Sequence, residues 1–175
     1  PLEVHQAEAE YAAALTLEYP TTDLVILVDR IERLAKKLTS SLLTQQRGAL
    51  RLACCLSLSD QPPMTLDVGL FAPTVDADHL SGLIINQLES RRIKATVEHL
   101  SLLVTLSGPL RNSQESLFQL DENQMFATAM NGIAISRLVD SLSGRLGRDR
   151  VGFVEIQNDP LPECAFQVLP LAGNA

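Results

Sequence analysis

Tryptophan is absent from this 175-residue chain, and aromatic residues make up only 4% of it. A base-stacking platform needs exposed rings at successive positions, so that way of binding single strands is disfavoured. Cysteine is sparse: Cys54, Cys55 and Cys164 are all there is. Three thiols, two of them adjacent and on opposite faces of any strand, build neither a disulfide framework nor a zinc site. They read as reduced cytosolic cysteines in or near a core. Positive charge is also short, with a net charge of −7 and a pI near 4.9. Neither residues 1–110 nor 111–175 are basic, which argues against autonomous tight binding to nucleic acid and confines any DNA contact to a local patch. No apolar run is long enough to span a membrane, and the N-terminus lacks a signal-peptide pattern, so a cytoplasmic protein is expected. The chain opens at Pro1 without Met, as expected of a fragment cut from something longer.

Catalytic signatures are missing too. The three histidines, His5, His79 and His99, fall in a polar start, a helix start and a strand exterior. None has metal-ligand spacing to another candidate or a nucleophile nearby in sequence. No P-loop, dinucleotide fingerprint or nucleophile elbow occurs. Asp76 and Asp78 suit a helix N-terminus, where carboxylates complement the dipole. No catalytic residue, cofactor or metal is expected.

What is present is a folding pattern. Apolar residues reach 46%, enough for a packed core. "YAAALTLEY" alternates, with Ala13, Leu15, Leu17 and Tyr19 on one face, as in a half-buried strand. Pro20 ends it, and Thr21 or Thr22 can cap a helix. Leu24, Leu27, Val28, Ile31, Leu34, Leu38 and Leu42 then form a helical stripe, which Gly48 closes. "ALRLACCLSL" predicts a second strand with Leu50, Leu52, Cys54, Leu56 and Leu58 inward. A turn at "SDQPPM" leads to a third with Leu66, Val68 and Leu70 inward. A second helix capped by Asp76 presents Leu80, Leu83, Ile84 and Leu88. A fourth strand presents Leu100, Leu102, Val104 and Leu106.

The order β-α-β-β-α-β predicts an α+β domain over 11–106, a four-stranded antiparallel sheet with two helices on one face. Its other face would carry small, mostly uncharged residues: Ala14, Thr16, Ala53, Cys55, Ser57, His99, Ser101 and Thr105, with Glu18, Arg51 and Asp67. Residues 107–120 read as a linker. Residues 121–175 read as a C-terminal helix bearing Phe126, Met130, Ile133, Leu138, Leu142 and Leu146, followed by a short strand at "VGFVEI" and an extended, Pro-rich tail. That helix either packs back on the domain or offers its stripe to a partner.

Two features carry candidate function. Arg47, Arg51, Arg91, Arg92 and Lys94 precede or open the second and fourth strands. They are expected to gather at one end of the sheet as DNA-backbone contacts. The competing reading is that Arg47, Arg91 and Arg92 complement helix C-termini. In the linker, "QESLF" sets Gln114 and Ser116 beside Leu117 and Phe118. Such a segment can dock compact apolar anchors in a preformed groove, or pack Leu117, Phe118 and Leu120 on the helix that follows.

"RIERLAKKLTSSLLTQQRGALRLACCLSL" followed by "LDVGLFAPTVDADHLSGLIINQLESRRI" resembles the little finger, or polymerase-associated domain, of Y-family translesion DNA polymerases, most of all the ImuB branch. The resemblance covers residues 11–106. Gln114-Glu115-Ser116-Leu117-Phe118 resembles the bacterial sliding-clamp-binding motif, with Glu115 standing where Leu is commoner. It implies that Gln114 sits in a small subsite of the clamp while Leu117 and Phe118 fill its hydrophobic cleft, with Ser116 at the motif's third position. ImuB-like proteins are polymerase homologues thought to lack catalytic carboxylates. They act in damage-induced (SOS) mutagenesis as adaptors between the clamp, an error-prone polymerase and a RecA-like accessory protein. The resemblance therefore implies a non-enzymatic fragment of a protein at the bacterial nucleoid, with weak contact to damaged or primer-template DNA. Two rivals stay open: the little finger of an active Y-family polymerase, and an unrelated ferredoxin-like ligand-sensing or enzymatic domain.

Overall fold

The protein is described by a computed structural model that covers residues 11–91, 93, 95–110, 122–147, 150–157, 161 and 165–170. Six elements build the main domain: β1 (Tyr11–Thr21), α1 (Leu24–Thr44), β2 (Arg47–Leu58), β3 (Gln61–Thr74), α2 (Ala77–Ser90) and β4 (Val97–Pro109). They are followed by α3 (Glu122–Leu146), β5 (Gly152–Ile156) and β6 (Phe166–Pro170). The four long strands form one antiparallel sheet in the order β1-β4-β2-β3. The expected α+β class and four-stranded sheet are thus what the chain adopts. The tail is not merely extended, because β6 pairs antiparallel with β5.

Cross-strand register explains the core. Tyr11, Val104, Leu52 and Val68 form one row across all four strands, and Ala13, Leu102, Cys54 and Leu66 form the next. All eight are buried. Two-residue periodicity puts both rows on the same face, where α1 covers them with Leu27, Ile31, Leu34, Leu38 and Leu42 and α2 with Leu80, Leu83, Ile84 and Leu88. The sequence spacing predicts these stripes, except at the start of α1, where Leu24 is 38% exposed and Val28 half-buried.

Several local expectations need correction. Asp23, not Thr21 or Thr22, caps α1: its Oδ1 accepts the Val25 N–H at 2.9 Å, while the Thr21 Oγ1 accepts the Asp23 N–H. The strand runs through Pro20 to Thr21, and its register shifts after Thr16, which leaves Tyr19 78% exposed instead of inward. β2 and β4 carry bulges near Ala49–Arg51. The shift brings Ala49 into the core, leaves Leu50 half-buried and sets Leu106 opposite Arg51, 37% exposed. A bulge moves the inside face by one residue, which alternation alone cannot register.

Gly48 does not terminate α1. The helix ends at Thr44, Gln46 takes a positive φ of 54°, and Gly48 lies within β2. There a Cβ would meet the Thr74 nitrogen at 2.6 Å and the Pro73 carbonyl carbon at 2.7 Å. The glycine serves backbone approach between β2 and the end of β3, a role only a residue without Cβ can fill.

Candidate functional site

The sheet face turned away from α1 and α2 is laid out in rows by the same register. Ala12, Leu103, Ala53 and Asp67 form one; Ala14, Ser101, Cys55 and Thr65 the next; Thr16, His99 and Ser57 a third. The Thr16 Oγ1 and His99 Nδ1 lie 3.1 Å apart, and the Cys55 Sγ and Thr65 Oγ1 3.7 Å. This is a shelf of short, mostly uncharged side chains that another surface can approach closely. Leu103, absent from the face as the sequence implied it, sits near its middle. The signal for it was the unbroken "LLV" run, which a strand must split between its two faces.

Thiol chemistry is muted on the inner side. Burial, aided by the neighbouring Cys55, pushes the Cys54 thiol up to about 12. Among the described residues, no group of three or more His, Cys, Asp or Glu could hold a metal ion. Nor, among the described residues, is any helix long and apolar enough to cross a membrane.

The basic residues are not gathered as expected. β2 and β4 run antiparallel, with Arg47 opposite Pro109 and Leu58 opposite Val97. Arg47 and Arg51 therefore belong to the end of the sheet where β4 finishes, whereas Arg91 precedes the end where β4 starts. Arg92 and Lys94 lie outside the described residues. Arg47 is tied into the sheet, its Nε donating to the Ser107 Oγ at 2.9 Å and its Nη2 to the Ser107 carbonyl at 3.0 Å. Arg51 shares the open face with Gly69 and Leu106. Arg91 caps the C-terminus of α2 through its backbone N–H, which donates to the Leu88 carbonyl. Gln114, Ser116, Leu117 and Phe118 also lie outside the described residues.

A second polar grouping, which the sequence did not disclose, joins α3 to β3 and α2. Asp140, 4% exposed, accepts the Phe71 backbone N–H at Oδ1 (2.6 Å), and its Oδ2 lies 2.9 Å from the His79 Nε2. One turn earlier, Arg137 pairs with Asp76, which also accepts the His79 N–H at 3.0 Å as the N-cap of α2. Burial by itself would raise the Asp76 carboxyl, but the His79 N–H, Arg137 and the His79 ring outweigh it and hold it below its usual value. The only clue in the sequence was an acidic residue set beside Val139 within an otherwise apolar helical repeat. Two crevices flank this junction, about 400 Å³ along Asn86, Glu89, Ser90, Ser141 and Arg145, and about 160 Å³ along Asp67, Gly69, Gln87, Asp140 and Ser143. Neither gathers nucleophile, base and oxyanion donors around one point.

No protein-family model and no curated protein matches the chain. Solved DNA polymerase structures do. The post-insertion binary complex of Dbh DNA polymerase is 13% identical with a TM-score of 0.47, over 55% of this chain and 28% of that one. A complex of beta-clamp processivity factor and the little finger domain of PolIV is 20% identical with a TM-score of 0.47, over 62% of this chain and 98% of that one. DinB from Sulfolobus solfataricus is 12% identical with a TM-score of 0.44, over 54% of this chain and 28% of that one. The chain thus spans well under a third of the two polymerases' length. These are similarities between chains, and they assign no role to any residue here.

Proposed function

We propose that this chain is a non-catalytic interaction module of a Y-family, ImuB-like translesion polymerase homologue, a little finger tethered to the bacterial sliding clamp. The observation that carries the reading is the succession along the chain. A βαββαβ sheet ends at Pro109, and Gln114-Glu115-Ser116-Leu117-Phe118 follows within a few residues. In this reading Leu117 and Phe118 anchor in the apolar cleft of the clamp while Gln114 and Ser116 make polar contacts at its rim. The open sheet face supports an accessory contact with damaged or primer-template DNA, weak because the chain is acidic, through Arg51, with Arg47, Arg91, Arg92 and Lys94 as further candidates. Residues 121–175 would then meet an error-prone polymerase or a RecA-like accessory protein, at the bacterial nucleoid.

The decisive experiment titrates a bacterial sliding clamp with the wild-type chain and with a Leu117→Ala/Phe118→Ala variant, circular dichroism confirming that both are folded. Micromolar binding lost in a folded variant supports the tether. No binding by the wild type removes it, and leaves DNA positioning within an active Y-family polymerase as the reading to test.

A further inference from the structure

β3 is an edge strand of 14 residues, and an edge strand offers unpaired N–H and C=O groups to any extended chain. Two of these groups are occupied by side chains. The Asp67 carbonyl accepts from the Gln87 Nε2 at 2.9 Å, and the Phe71 N–H donates to Asp140. Asp67 and Gly69 are two residues apart, so the Gly69 backbone groups face the same outer edge. Opposite them lies α3.

The contact between α3 and this edge is polar. Among the described residues, Val139, Asp140 and Ser143 are its buried ones, and the Ser143 Oγ has no hydrogen-bond partner. Asp140 and Ser143 line the 160 Å³ space against Asp67 and Gly69. Apart from Val139, larger described apolar residues of the same helix point elsewhere: Ile135, Leu138, Leu142 and Leu146 are 37–57% exposed. Among the described side chains of α3, residues 132–146, none belongs to the main core cluster. Over residues 132–146 the helix is docked through a carboxylate, with an orphaned hydroxyl and unfilled space behind it and Val139 as the one described apolar side chain it buries, so little apolar burial there resists its removal.

We propose that α3 is a releasable cover on the outer edge of β3, latched by Asp140 between the Phe71 N–H and His79 and by the Arg137–Asp76 pair. Opening frees the Phe71 N–H and the Asp67–Gly69 edge and leaves the βαββαβ core intact.

Native-state hydrogen exchange tests this. In the wild type the Phe71 amide exchanges at least tenfold faster than the Leu52 amide of the central strand β2, at a rate insensitive to low denaturant. Asp140→Ala speeds the Phe71 amide a further tenfold or more while Leu52 keeps its protection and the far-UV spectrum is unchanged. Equal protection of Phe71 and Leu52 in the wild type, or parallel loss at both in the variant, overturns the proposal and makes α3 an integral part of the fold. Should Asp140→Ala fail to fold, Arg137→Ala decides, because that side chain is exposed. Faster exchange at Phe71 alone supports the cover, and no change relative to Leu52 overturns it.

Discussion

Cys54 and Cys55 are adjacent and chemically alike, yet the pleat sends one inward and the other to the open face. With its thiol pushed up to about 12, Cys54 is protonated and non-nucleophilic at neutral pH. A thiol-reactive dye at pH 7.5 should leave Cys54 unmodified in the folded protein and label it once denaturant is added. The same shift makes stability fall as pH rises above the ordinary thiol range, since the unfolded chain releases a proton that the folded one keeps. Asp76 acts in the opposite sense. Its lowered carboxyl contributes stability that is present above the ordinary aspartate value and lost as pH falls through the folded one. Asp76→Asn keeps an acceptor for the His79 N–H but loses the charge facing Arg137. It should cost on the order of 0.5 kcal/mol at pH 7, as partly exposed pairs do. That cost should shrink as pH falls below the ordinary aspartate value and the folded carboxylate is progressively protonated. Denaturant melts of both proteins at pH 7 and pH 3 give the comparison.

The helices differ in what their apolar stripes do. Those of α1 and α2 close the sheet, whereas Ile135, Leu138, Leu142 and Leu146 of α3 face outward. Truncating a fully buried strand residue, Leu102→Ala, should cost roughly 2–5 kcal/mol. Leu138→Ala, at 57% exposure, should stay within about 0.5 kcal/mol. Urea midpoints of the two variants separate a stripe that holds the fold from one that does not. A large loss at Leu138 would show that α3 buries more than its exposure implies. The helical period of α3 was plain from sequence, but which side of it docks depended on a carboxylate finding one backbone N–H and one imidazole. A periodic pattern carries no information about such a meeting.

At the scale of the whole molecule, charge limits what the open face can do. A net charge of −7 repels a phosphate backbone, so DNA affinity should be modest and fall with added salt. On the proposed reading, Arg51→Ala should lower the slope of log affinity against log salt by about one unit if its guanidinium meets a phosphate. Fluorescence anisotropy with primer-template DNA from 50 to 200 mM salt, a range over which such slopes are resolved, measures it. An unchanged slope would remove Arg51 from the interface. Arg47 is a poorer candidate, since two of its guanidinium nitrogens already hold Ser107.

The sequence by itself determined the order of the six domain elements, most of both helix stripes, the Asp76 cap and most of the inward strand residues, because each follows from local period or local hydrogen bonding. Tertiary structure alone decided the rest. The antiparallel run of β2 against β4 separates Arg47 and Arg51 from Arg91. The bulges near Ala49–Arg51 exchange Leu50 for Ala49 and turn Leu106 outward, and the fold brings Asp140 to the edge of β3. These outcomes depend on strands and helices distant in sequence meeting in one register, and pairing between distant segments is written in no single stretch of the chain.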